Sequence, residues 1–118
     1  MECYLDNSAT TKPCKAAVDA EISALTELYG NPSSLHQKGV DAYMLLEKSR
    51  GTIAASLKAS PDEIYFTPCG TVSNNTAIFG AVGAKKRLGK KIVTTALEHP
   101  SVEKCMERLE ESGFEVVR

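Results

Sequence analysis

Residues 64–75, Ile-Tyr-Phe-Thr-Pro-Cys-Gly-Thr-Val-Ser-Asn-Asn, run an apolar stretch into a tight turn and then a helix start. That order makes an anion site. The first N–H groups of a helix have no partner inside it and the macrodipole puts partial positive charge there, so backbone alone can hold a phosphate. Gly70 lets the chain approach a ligand closely, and Thr71 adds a hydroxyl donor. The same turn also fits a plain helix cap made by Thr71 or Ser73 with nothing bound. His99 is the second candidate, since an imidazole can shuttle protons, although a histidine in such a loop can equally be structural. Cys69, at the mouth of the turn where a thiolate is favoured, leaves open a thiol enzyme.

The elements around these residues follow a β-α-β order. Residues 63–67, rich in β-branched and aromatic side chains, read as a strand, 71–88 as a helix with Ala77, Ile78, Ala81 and Val82 inward, and 92–95 as a strand. Lys85, Lys86 and Arg87 suit the negative end of that helix, with Gly89 as its C-cap. Pro100 opens a helix that carries Val102, Met106 and Leu109 to a Ser112-Gly113 stop, and 114–117 is a further strand. Such crossovers are right-handed and join parallel strands, and ligands sit beyond the strands' carboxyl ends. The loops 68–71 and 96–99 both lie at that edge, which places His99 with the anion turn. Because it precedes Pro100, His99 is biased to an extended backbone, which would project its ring from the edge.

Upstream, residues 3–5 could form a short strand, followed by a polar loop at 6–11. A helix over 14–29 carries Val18, Ile22, Leu25 and Tyr29 on one stripe and ends at Gly30. A turn cluster at 30–34 leads through His36 to a second helix over 40–57. Val40, Tyr43, Met44, Ile53, Ala54 and Leu57 form its buried side, and Gly51 is a weak interior point costing about 1 kcal/mol against Ala. Ser60-Pro61-Asp62 stops it.

The balance of 14 basic against 15 acidic residues gives no reason to expect nucleic acid or membrane as the main partner. The amino terminus has neither a basic region nor an apolar core of a leader, and no apolar run approaches the ~20 residues of a membrane span, so a cytoplasmic protein is expected. The four cysteines, Cys3, Cys14, Cys69 and Cys105, are too widely spaced for a zinc or cluster motif and would stay reduced, so no metal is expected.

Four runs together resemble the amino-terminal part of cysteine desulfurases, pyridoxal-phosphate enzymes of the class V aminotransferase group. They are Tyr-Leu-Asp-Asn-Ser-Ala-Thr-Thr from Tyr4, Gly-Asn-Pro-Ser-Ser-Leu-His from Gly30, Gly-Thr-Val-Ser-Asn-Asn from Gly70 and Thr-Thr-Ala-Leu-Glu-His-Pro-Ser-Val from Thr94. The resemblance covers essentially the whole chain in order. It implies an α/β fold, part of a fold-type I transferase with an incomplete parallel-rich sheet and flanking helices. Residues 1–13 would belong to the small domain and 14–118 would begin the large cofactor-binding domain. It further implies that Gly70 and Thr71 bind the phosphate of pyridoxal 5'-phosphate, and that His99 stacks on its ring and moves protons. L-Cysteine would be the substrate, a sulfur-acceptor protein would take the product sulfur for iron–sulfur cluster or other delivery, and a second copy would complete a homodimer. Cys69 stands where the family usually has Gly, Val72 where it has Glu, and Ser8 where it has Ala. A side chain at 69 would be disfavoured if φ there were positive.

The family's cofactor-anchoring lysine and its nucleophilic cysteine have no counterpart among the 118 residues. Three expected strands leave a parallel sheet short of partners, so the chain reads as unfinished, a truncated or proteolytic piece or one part of a split protein. Hydrogen bonds to a charged group contribute about 1.5–3 kcal/mol each and the helix dipole about 0.3–1, whereas micromolar binding needs about 8. The cradle alone is therefore expected to hold the cofactor weakly, and the chain alone to be inactive. The reading from a different class is a non-catalytic binding or assembly module.

Overall fold

The computed structural model describes residues 3–118, and its contacts divide the chain into a first unit ending at Ile64 and a second, Tyr65–Arg118. In the first unit, residues 3–5 pair with no strand among the described residues, and Tyr4 instead donates from its hydroxyl to the carbonyls of Asp6 and Thr10. Helix α1, Lys15–Thr26, begins behind Pro13 and closes three residues before the expected Tyr29. There the Thr26 hydroxyl turns back on the Ile22 carbonyl and both Glu27 and Leu28 donate to Ser23.

Helix α2, Gln37–Leu57, starts three residues earlier than expected because His36 caps it, its Nδ1 accepting from the Gly39 N–H at 3.4 Å. Its buried residues are Gly39, Ala42 and Ala54. Ala54 was expected there, but Val40, Tyr43, Met44, Ile53 and Leu57 are exposed, as is the α1 stripe, with Leu25 69% accessible. The small residues are inside because this unit's tightest contact is backbone against backbone. A Cβ on Gly30 would overlap the Lys38 carbonyl, and one on Gly39 the Ser34 carbonyl. Lys58, in the left-handed region at φ 55°, ends α2, and a helical turn at Pro61–Glu63 follows. Arg50 donates to the Ile64 carbonyl and pairs with Glu47 at 3.1 Å, which ties that turn to α2.

The strand expected at 63–67 is not formed. Glu63 belongs to the helical turn, and 64–67 carry no ladder. High β-propensity does not make a strand without a neighbour, and the only pair among the described residues is between β1, Lys91–Val93, and β2, Glu115–Val117. These two are parallel, as expected, in the register Lys91↔Glu115, Ile92↔Val116, Val93↔Val117. Helix α3, Gly70–Lys85, stops three residues short of the expected Leu88, so Gly89 is not its C-cap. Helix α4, Pro100–Glu111, fills the crossover.

The core of the second unit is one face of α4. Cys105 is 2% exposed, Met106 and Leu109 4% each, and Ser101 joins them. The face packs on α3, where Asn74, Asn75, Ile78 and Val82 are half-buried, while Ala77 and Ala81, expected inward, are exposed. Gly113 reverses the chain into β2 at φ 85°, a conformation that favours glycine, and the Phe114 N–H reaches back to the Leu109 carbonyl. Arg118 then clamps the end of β2 to α4 through Glu103 and Glu110, each at 2.7 Å.

Candidate functional site

The turn into α3 is built by hydroxyls that hold carbonyls. Thr67 donates from Oγ1 to the Cys69 carbonyl at 3.1 Å and lies 2.6 Å from the Ser73 Oγ, and the Ser73 N–H also donates to that carbonyl. The residue at the cap is Cys69, and no side chain caps the helix. Neither Thr71 nor Ser73 plays the capping role that the sequence left open for them. The N–H groups of Gly70, Thr71 and Val72 thus meet no side-chain acceptor at the positive end of a helix spanning 16 residues.

A Cβ on Gly70 would meet nothing within 4 Å, so the close approach that Gly70 permits is not to this chain. Cys69 sits at φ −164°, ψ 166°, an extended backbone open to any residue. A cysteine where glycine is usual therefore carries no backbone strain. Nothing in the structure explains Val72.

The start of α4 is made differently. His99 is extended at φ −61°, ψ 147°, as the following proline requires, but its ring does not simply project outward. Nδ1 accepts the Ser101 N–H at 3.1 Å, which makes His99 the N-cap of α4, and lies 2.8 Å from the Ser101 hydroxyl. Asn74 of α3 donates from Nδ2 to that same hydroxyl at 2.8 Å. One turn further along α4, the Cys105 thiol donates to the Oδ1 of the next α3 residue, Asn75, at 2.7 Å, and burial pushes that thiol's pKa up.

Asn74 follows Gly70 by four residues and Thr71 by three, so it shares their side of α3. Two hydrogen bonds then join the first turns of α3 to His99. The structure thereby links the side of α3 that carries Gly70 and Thr71 to His99, and adds Asn74 and Ser101, which sequence reasoning did not weigh. Their signal was present: Asn74 closes one helical turn from the candidate glycine, and Ser101 stands two residues after the candidate histidine. Chemically, the cluster offers uncapped N–H groups, one free hydroxyl on Thr71, and an imidazole whose orientation is set by its neighbours.

Among the described residues no helix is long and apolar enough to cross a membrane, and no group of His, Cys, Asp or Glu could hold a metal ion.

Comparison with known proteins identifies the family. The family described as aminotransferase class-V matches residues 3–118. A NifS/IcsS protein homolog of Lactobacillus delbrueckii subsp. bulgaricus is 50% identical over 115 residues, which is 98% of this chain and 30% of that protein. The cysteine desulfurase NifS of Azotobacter vinelandii is 42% identical over 116 residues, 98% of this chain and 29% of that protein. Among solved structures, a NifS-like protein superposes with a TM-score of 0.89 at 37% identity, covering 98% of this chain and 32% of the other. SspA in complex with cysteine superposes at 0.82 with 30% identity, covering 93% and 32%. The chain thus spans about 30% of the length of the curated relatives it matches. Matched from residue 3 to residue 118, the chain belongs to the aminotransferase class-V family, and it matches the amino-terminal part of cysteine desulfurases.

Proposed function

We propose that the complete protein is a pyridoxal-phosphate-dependent cysteine desulfurase, and that this chain supplies its phosphate cradle and one proton-handling residue. The observation that carries the reading is the uncapped first turn of α3, joined through Asn74 and Ser101 to His99. The cofactor fits what is there: Gly70 presents no side chain, Thr71 has a free hydroxyl, and the helix end favours an anion. When bound, pyridoxal phosphate supplies an electron sink for the carbon skeleton of the amino acid.

In this reading the Gly70 and Thr71 N–H groups and the Thr71 hydroxyl hold the phosphate. His99 would stack on the bound pyridine ring and hold or move a proton at Nε2. The net reaction breaks the C–S bond of L-cysteine. Sulfur joins a thiolate of the complete enzyme as a persulfide, the β-carbon gains a proton, and L-alanine leaves. The persulfide then passes to a sulfur-acceptor protein, for iron–sulfur clusters or other delivery. The anchoring lysine and the sulfur-carrying thiolate come from chain beyond these 118 residues. Residues 1–13 join the small domain, 14–118 begin the large one, and the enzyme works in the cytoplasm as a homodimer.

The relatives' names and the cysteine-bound neighbour support this choice of substrate. The exposed apolar stripes of α1 and α2 favour a second reading, a non-catalytic assembly module that docks through them. Assay of the complete protein separates the two. Alanine formed from L-cysteine in step with sulfur transferred is the expected result. No alanine from the cofactor-loaded protein would remove the desulfurase reading.

A further inference from the structure

His99 carries its proton on a particular nitrogen, and the residues that decide which one lie outside the cofactor cradle. We propose that Ser101 and Asn74 are positioning residues that hold His99 as the Nε2–H tautomer and aim that nitrogen at the reacting atoms; the inference rests on the desulfurase reading for its chemistry, but not for its geometry.

A backbone N–H can only donate, so Nδ1, 3.1 Å from the Ser101 N–H, must be an acceptor and bear no proton. The neutral ring then has its hydrogen on Nε2. The Ser101 hydroxyl adds a second constraint. It accepts from the Asn74 amide at 2.8 Å, which turns its own hydrogen toward Nδ1 at 2.8 Å. Ser101 therefore donates twice to one ring nitrogen. Asn74 directs the second of those bonds from the neighbouring helix. Ser101 is buried, so water does not readily take its place. The pair that fixes the ring also joins α3 to α4, so the proton-bearing nitrogen and the anion-holding turn are oriented by one connected set of bonds.

The test labels histidine with 15N in the complete protein, above the ordinary titration range of histidine. His99 signals are assigned by their loss in His99→Gln. The expected wild-type spectrum has Nδ1 as an acceptor-type nitrogen drawn toward the bonded range and Nε2 as its protonated partner. Ser101→Ala should move the Nδ1 signal toward the unbonded position, Ser101→Thr should restore it, and Asn74→Ala should move it less in the same direction. In the holoenzyme, Ser101→Ala should lower kcat about 3- to 10-fold, the loss of one neutral hydrogen bond, with KM for cysteine unchanged and Thr restoring the rate.

A proton on Nδ1 in the wild type, or an Nδ1 signal unmoved by Ser101→Ala, would overturn the inference. Should Ser101→Ala fail to fold, Asn74→Ala reads the same nitrogen with Ser101 in place, and an unmoved signal there overturns it equally. The expected spectra in a protein without cysteine turnover would leave this inference standing and remove the desulfurase reading. Turnover with unmoved spectra would do the reverse.

Discussion

Helices α3 and α4 lie side by side in one unit, yet they begin in opposite ways. At α4 the chain satisfies its own helix end: His99 accepts from Ser101, Pro100 fills the first position with a residue that has no N–H, and Glu103 sits in the first turn. At α3 the hydroxyls of Thr67 and Ser73 go to the Cys69 carbonyl, no acid stands in the first turn, and no side chain meets the N–H groups of Gly70 to Val72. A bare helix start is not by itself a site, since α1 also lacks a side-chain cap. What distinguishes α3 is that its open end is wired to the capped one, through Asn74 and Ser101. One helix end is available for an anion and its neighbour holds an imidazole in place.

Breaking the capped side should have the largest effect. In the complete protein His99→Ala removes the α4 cap and, on the proposed reading, a general acid–base group with it. Turnover of cysteine should fall by about 10²–10⁴-fold, measured as alanine formed, with cofactor still bound. Near-normal turnover would show that His99 is only a cap. Packing comes next. Leu109→Ala removes the most deeply set leucine on the face that α4 turns to α3, and should cost about 2–5 kcal/mol in a denaturant titration. A loss under about 1 kcal/mol would mean that the two helix ends are not held by that contact.

The open side should respond through affinity. On the proposed reading Thr71→Ala deletes one hydrogen bond to a charged group, about 1.5–3 kcal/mol, so cofactor should bind about 10- to 100-fold more weakly by spectral titration, with turnover at saturation less affected than in His99→Ala. The smallest effect is electrostatic. Hydrogen bonding to Arg118 holds the Glu110 carboxyl below its ordinary range. Its contribution is then fully present above the unfolded value of about 4.3 and is lost as pH falls through the lowered folded value. Stability measured across that acid window should decline less steeply in Glu110→Gln than in the wild type.

The crossover through α4 was legible because each boundary has a local cause: Pro100 to start, Ser112-Gly113 to stop, and apolar residues at helical spacing between. The parallel pairing of β1 and β2 followed from the crossover rule. The strand expected at 63–67 failed because its residues were read for propensity alone, whereas a strand exists only by pairing, and Pro61-Asp62-Glu63 form a helical turn from local bonds. Of the residues expected on the buried side of α2 only Ala54 is buried, and α1 ends before Tyr29, the last residue of its expected stripe; backbone contacts at Gly30 and Gly39 organise that unit instead. At the candidate site, Gly70, Thr71 and His99 are proposed from residue type and motif alone. Asn74 and Ser101 could not be picked that way, since their role depends on two helices meeting, and neither is unusual in its own segment.

The central claim is that the start of α3 is left uncapped to hold the cofactor phosphate. Cys69→Asp tests it most directly, because an aspartate at that extended position can cap the helix from within and set a negative charge where the phosphate would lie. Cofactor affinity of the complete protein, titrated alongside its unfolding free energy, should show opposite changes: stability higher by about 0.5–2 kcal/mol and cofactor binding weakened at least tenfold. Unchanged cofactor affinity in a protein so stabilised would contradict the account.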